Sequence, residues 1–108
     1  MNTVPVANTL AGIVGIGASA GGLQPLEQLL SHTPPDSGLA WIVVQHLDPT
    51  QKALLAELLQ RVTSMKVQQA TQGMPVNANQ VYVIPPNSEL RVHKGVLKLT
   101  KPREPRGL

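Results

Sequence analysis

The first 70 residues alternate between continuous apolar runs and segments in which apolar positions recur every three or four residues. Residues 10–16 and 39–45 are nearly continuous apolar runs, typical of parallel strands covered on both faces. The spacing predicts amphipathic helices over residues 22–32 and from residue 48 to residue 62. This order of strand, helix, strand, helix predicts a parallel α/β sheet.

The start of the second helix carries the clearest local signal. Asp48 is suited to cap it, Pro49 to occupy its first turn, and Gln51 to complete a capping box. The first helix tolerates Pro25 in its first turn and ends at the "TPPDSG" segment. We therefore expect two βα units joined by short loops.

The second half of the chain reads as a series of short strands. Residues 66–69 predict a short continuation of the parallel sheet, and "QVYVIPP", "ELRVHK" and "VLKLT" predict a hairpin or meander on one flank. The predicted fold class is α/β, a three-layer, doubly wound, mostly parallel, Rossmann-like sheet with a C-terminal β-hairpin or meander. We expect this sheet to be incomplete, because parallel strands this apolar normally lie inside a larger one.

The composition narrows the classes of protein. With 42% apolar and 14% charged residues in 108 positions, the chain is one globular domain at most. It has no cysteine, and its three histidines are scattered, so we predict no metal site. No run is long enough to insert into a membrane and no signal peptide is visible, so we expect a cytoplasmic protein.

The net charge of +3 is concentrated late in the chain. The cations are Arg91, Lys94, Lys98, Lys101, Arg103 and Arg106, against only Glu89 and Glu104. Since no aromatic residues are interleaved with them, we predict no nucleic-acid partner. A solvated hairpin and tail is the favoured interpretation, and attraction of an acidic protein partner stays open.

Two motifs overlap in "GIVGIGASAGG", residues 12–22. Gly15-x-Gly17-x-x-Ala20 fits a dinucleotide-binding turn, and Gly17-x-Ser19-x-Gly21 fits a small-x-Ser-x-small nucleophile elbow. A dinucleotide site usually has an acidic residue where the second strand ends. Here that strand ends in Gln45-His46, which favours the serine over the phosphate.

Ser19 and His46 each follow a predicted parallel strand and so leave the sheet at one edge. Neighbouring strands lie about 4.8 Å apart, so the imidazole could take the serine proton as a general base. The backbone N–H of Ala20 would face a developing oxyanion, and Gly21 and Gly22 would leave room for a substrate. The alternative, a helix-capping serine and a structural histidine, stays open at this point.

Other polar residues are assigned no chemistry. We predict that His32 and His93 are structural or surface residues and that Glu57 is a solvated charge on a helix face.

Three segments together resemble a known family: "IVGIGASAGGLQPLEQLL", "WIVVQHLDPTQKALLAELLQRVTSMKV" and "GMPVNANQVYVIPPN". They are similar to the catalytic domain of CheB-type chemotaxis protein-glutamate methylesterases, over about residues 12–100. The resemblance implies a hydrolase without cofactor that acts on glutamate methyl esters in the cytoplasmic part of chemoreceptors. It implies Ser19 as nucleophile and His46 as triad histidine. Receiver or methyltransferase domains accompany such domains in larger proteins.

The chain departs from the family pattern in two places. Ala20 stands where the family usually has threonine, and the family's triad aspartate has no counterpart among these residues, since Asp48 is better used as a cap. We expect residues 1–11 to be extended or disordered, 12–100 to be the N-terminal part of a methylesterase domain, and 101–108 to be a basic tail and truncated loop.

Such a fragment would be inactive or very weak, by a factor on the order of 10⁴. We also expect it to self-associate through its open sheet edge. A catalytically silent signalling or interaction module of the same fold is the alternative function, and a nucleotide-binding module is the third.

Overall fold

The computed structural model describes residues 10–18, 23–45, 54–85 and 88–100. The elements are β1 (Gly12–Ala18), α1 (Leu23–Ser31), β2 (Leu39–Gln45), α2 (Leu54–Gln60), β3 (Lys66–Gln69), β4 (Gln80–Ile84), β5 (Glu89–His93) and β6 (Val96–Thr100). The predicted bounds of β2 and β3 are confirmed, whereas β1 begins and ends two residues later than predicted. The predicted cap at Asp48 lies outside the described residues.

Four strands form one parallel sheet in the order β1-β2-β4-β3. Our grouping of β4 with the C-terminal hairpin was wrong, because β4 pairs in parallel with β2 on one side and β3 on the other. All four residues from Val81 to Ile84 are buried, as a central strand covered on both faces requires. Only β5 and β6 form the antiparallel hairpin.

The sheet has a different layer on each face. On one face the helices α1 and α2 pack over alternate residues of β2 and β4, in a core of Leu26, Leu30, Trp41, Val43, Leu55, Leu59, Met65, Val81 and Val83. On the other face the hairpin packs with Ala40, Ile42, Ala70, Val76, Tyr82, Ile84 and Leu97. The three-layer, mostly parallel α/β architecture is confirmed, and in the described residues the hairpin supplies the third layer.

The connection between β3 and β4 is held between the sheet and the hairpin. Gly73 N donates to Leu97 O at 2.9 Å, and Leu97 N donates to Met74 O at 2.8 Å. The fully buried Tyr82 hydroxyl accepts a hydrogen bond from Asn77 N at 2.7 Å. These bonds satisfy backbone groups of an irregular segment that no strand ladder pairs.

Among the described strands β1 lies at the edge of the sheet, and its face opposite the helices is exposed. Val14 and Ile16 pack against the helix-side core, but Ile13 on the opposite face is 42% exposed. Gly15 and Gly17 on that face are exposed too. The expectation that β1 is covered on both faces is therefore wrong for the described part of the chain.

Adjacent leucines of α1 provide a matched test of this core. Leu30 is 1% exposed and Leu29 is 43% exposed. We expect Leu30→Ala to lower the free energy of unfolding by about 2–5 kcal/mol, because it leaves a cavity between α1 and the sheet. Leu29→Ala should change it by less than about 0.5 kcal/mol. Urea denaturation followed by circular dichroism measures both, and equal losses would contradict the orientation of α1.

Candidate functional site

The carboxyl ends of three parallel strands meet at one edge of the sheet. Ala18 of β1 lies opposite Gln45 of β2, and Val44 lies opposite Ile84 of β4. The three strands therefore end within one residue of the same level, about 4.8 Å apart from neighbour to neighbour. Open α/β sheets place their ligand and catalytic sites along this edge.

The segment after β1 has the context that a nucleophile elbow requires. β1 ends at Ala18 and α1 begins at Leu23, so residues 19–22 join a strand directly to a helix. A small-x-Ser-x-small motif presents its serine from such a strand-turn-helix unit. Ser19, Ala20, Gly21 and Gly22 themselves lie outside the described residues.

The predicted neighbourhood of β1 and β2 is confirmed, since the two strands pair in parallel along their whole length. Ser19 follows Ala18 in the chain and His46 follows Gln45, and these two preceding residues are partners in the register. His46 also lies outside the described residues. The serine–histidine pair therefore stays a prediction, supported by the strand ends that precede it.

The phosphate-binding interpretation loses its structural basis. Gly15 and Gly17 lie inside β1, opposite Ile42 and Val44, and not in the turn after the strand. In a dinucleotide-binding unit the first glycine forms that tight turn, where the backbone approaches the pyrophosphate. A dinucleotide site also needs an acidic residue where the second strand ends. Asp36 cannot serve, because it precedes β2 and lies at the opposite edge of the sheet.

The two described histidines lie away from the carboxyl edge of β1 and β2. His32 follows the end of α1, is exposed, and its Nδ1 lies 2.8 Å from Gln28 O. His93 is exposed at the end of β5, next to the hairpin turn, and Glu57 is exposed on α2. These placements agree with the surface roles predicted for all three.

No described cluster offers a metal site. Among the described residues no three histidine, cysteine, aspartate or glutamate side chains are grouped to hold an ion. Neither described helix combines the length and apolar character needed to cross a bilayer.

Sequence reasoning missed Asn79, which organises the other edge of the sheet. Asn79 adopts a left-handed backbone with φ of 66°, and its Oδ1 accepts a hydrogen bond from Gly38 N at 2.7 Å. Its own N donates to Leu39 O at 2.8 Å, which ties the starts of β2 and β4 together. The tolerance of asparagine for positive φ is the local signal that was available. Trp41 Nε1 is buried with no acceptor in the described part of the chain.

Comparison with known proteins agrees with this arrangement. A family model described as CheB methylesterase matches residues 14–106. A protein-glutamate methylesterase/protein-glutamine glutaminase of Xanthomonas euvesicatoria is 35% identical over 98 residues, which cover 85% of this chain and 27% of that protein. One of Pseudomonas fluorescens is 37% identical over 89 residues, which cover 82% of this chain and 26% of that protein.

The catalytic domain of CheB methylesterase from Thermotoga maritima has a similar structure. It superposes with a TM-score of 0.74 at 27% sequence identity, over 88% of this chain and 51% of that one. The chain therefore spans about a quarter of the length of those two curated relatives, and about half of the solved catalytic domain.

Substitution of Gly15 tests whether the glycine motif lies inside β1, and Gly73 provides a control in a left-handed turn. A Cβ built on Gly15 or on Gly73 meets no heavy atom within 4 Å, but only Gly73 has a left-handed φ, of +83°. We expect Gly15→Ala to raise the free energy of unfolding by about 0.5 kcal/mol, through lower entropy of the unfolded chain. Gly73→Ala should lower it by about 1–2 kcal/mol. Thermal unfolding measures both, and a loss on Gly15→Ala would contradict an open strand position.

Proposed function

We propose that this chain, which belongs to the CheB methylesterase family, carries the nucleophile and the general base of a protein-glutamate methylesterase. The observation that carries the proposal is the parallel pairing of β1 with β2, which ends at Ala18 and Gln45. The next residues in the chain are Ser19 and His46. The methylesterase activity for which the family is named would require such a nucleophile and general base.

In this reaction the Ser19 hydroxyl attacks the carbonyl carbon of a glutamate methyl ester. His46 takes the hydroxyl proton and returns it to the departing methoxide, so that methanol leaves and an acyl-enzyme remains. A water molecule, deprotonated by His46 in turn, then attacks the acyl carbonyl carbon. The bond to the Ser19 oxygen breaks, His46 returns the proton to that oxygen, and the glutamate carboxylate is released. The N–H of Ala20 would stabilise the oxyanion, and Gly21 and Gly22 would admit the substrate.

The proposal also covers the class of substrate and the cell compartment. The relatives are named as methylesterases and also as protein-glutamine glutaminases, and the same acyl transfer releases ammonia from a side-chain amide. We propose methylated glutamates of a chemoreceptor's cytoplasmic part as the protein substrate, within the cytoplasm. Receiver or methyltransferase domains would belong to the larger protein in which such a domain works.

Covalent labelling tests the nucleophile without requiring turnover. We expect a fluorophosphonate to form one adduct on this chain at Ser19, because a serine next to a general base is more nucleophilic than a solvated one. Peptide mass spectrometry locates the adduct. Ser19→Ala should abolish labelling and His46→Gln should slow it by at least about a hundredfold.

Two matched controls come from the end of α1. Ser31 is exposed and its Oγ donates a hydrogen bond to Gln28 O at 3.0 Å. The exposed His32 follows it in the chain. Ser31→Ala and His32→Gln should label as the unchanged chain does. Labelling that survives Ser19→Ala would reject the nucleophile, and Ser19 labelling that His46→Gln leaves unchanged would favour the catalytically silent module.

The open edge of β1 supports a second proposal, that the chain self-associates. Among the described strands β1 has a partner on one side only, and its outer face presents the half-exposed Ile13. Unpaired backbone groups beside an apolar face are a template for pairing with another copy.

Sedimentation velocity over a range of concentrations tests this association. We expect Ile13→Lys to weaken it by at least about tenfold, since a charge at the centre of an apolar contact is costly to bury. Leu29→Lys is the matched control, because Leu29 on α1 is 43% exposed and Ile13 is 42% exposed. A chain that stays monomeric at every concentration would contradict the proposal.

A further inference from the structure

The outer face of the hairpin carries opposed positive charges. Arg91 of β5 lies directly opposite Lys98 of β6, and both side chains are exposed. Lys94 occupies the turn between the strands with a φ of 53°. We call these three residues the basic face. The other side of the hairpin turns Leu97 and Leu99 into the core.

The basic face opposes the stability of its own hairpin. Like charges placed directly opposite one another destabilise a strand pair. No carboxylate among the described residues pairs with Arg91, Lys94 or Lys98, and Glu89 at the hairpin's start is the sole acid within residues 88–100. Placing these two cations directly opposite each other therefore does not stabilise the hairpin.

Charge is divided unevenly between the two parts of the described chain. Residues 10–85, as far as the structure describes them, carry three carboxylates, Glu27, Asp36 and Glu57, and two cations, Arg61 and Lys66. The hairpin carries three cations and one carboxylate. The positive potential is thus concentrated on one layer, where it can attract an anionic surface within a Debye length of about 8–10 Å.

We propose that the basic face is a docking surface for an acidic, glutamate-rich protein segment. A protein fits better than a nucleic acid, because the chain's two aromatic residues, Trp41 and Tyr82, are both buried and neither can stack on a base. The hairpin follows β4 after residues 85–88 and so begins at the carboxyl edge of the sheet.

Identifying the docked segment with the esterase substrate rests on the proposed function. A protein whose glutamates are methyl esters also carries glutamates that are not, and each released product is a further carboxylate. Such a surface is anionic around the reacting ester. The basic face would hold that surface against the chain while leaving the ester free to react.

Binding to a defined polyanion tests the docking surface directly. The unchanged 108-residue chain is titrated into fluorescein-labelled poly-L-glutamate and followed by fluorescence anisotropy, at about 20 mM and about 200 mM salt. We expect binding that weakens with salt and that Arg91→Gln/Lys98→Gln weakens by about tenfold. Arg61→Gln/Lys66→Gln removes the same charge elsewhere and should weaken it by less than about twofold.

The outcomes separate the proposal from its rivals. Equal weakening by the two double variants would show a net-charge effect and overturn the docking surface. Tighter binding of a labelled oligothymidylate would overturn the choice of a protein partner. Because polyglutamate binding needs neither Ser19 nor His46, it succeeds or fails independently of the labelling test for the nucleophile.

The melting temperature distinguishes docking from a purely structural role. Arg91→Glu converts the like-charge pair into an opposite-charge pair, so it should raise the Tm by a few degrees while it weakens polyglutamate binding. If Arg91→Glu lowers the Tm or causes precipitation at unchanged affinity, the cations serve to protect the strand edge. That result would overturn the proposal.

Discussion

The in-register parallel pairing of β1 with β2 is the interaction on which both the core and the candidate site depend. A slip of one residue would turn Trp41 and Val43 away from the helices, because successive side chains of a strand point to opposite faces. The same slip would separate the levels at which the two strands end. The apolar contacts that bury β2 under α1 and α2 thus also determine which residues leave the sheet together, after Ala18 and after Gln45.

Much of this arrangement could be predicted from local signals. The bounds of β2 and β3 follow from their apolar runs and the turn residues around them, and the strand–helix order implied the shared carboxyl edge. The end of β1 was misjudged because Gly17 and Ala18 resemble the start of a turn, although both are paired with β2. Small residues mark turns and exposed strand faces alike, so sequence alone did not separate the two.

Strand pairing between distant segments was beyond the reach of local pattern. β4 has an apolar run like that of β2, yet Pro85 and the strands that follow suggested a meander. Its partners are β2 and β3, and the contacts that hold it there involve the Tyr82 hydroxyl and the irregular connection before β4. No turn signal encodes which strand will be a neighbour. The candidate serine and histidine could be proposed from sequence because the proposal depends only on the ends of consecutive strands, and both residues stay a prediction.

Two exposed surfaces of this fold carry residues that make their own strands less stable. β1 has glycines at two alternate positions where a Cβ would meet nothing, although glycine weakens a strand. The hairpin sets arginine against lysine where opposite charges would be more stable. Local conflicts of this kind are expected where a surface serves contacts outside the fold. Both surfaces lie on the sheet face opposite the helices.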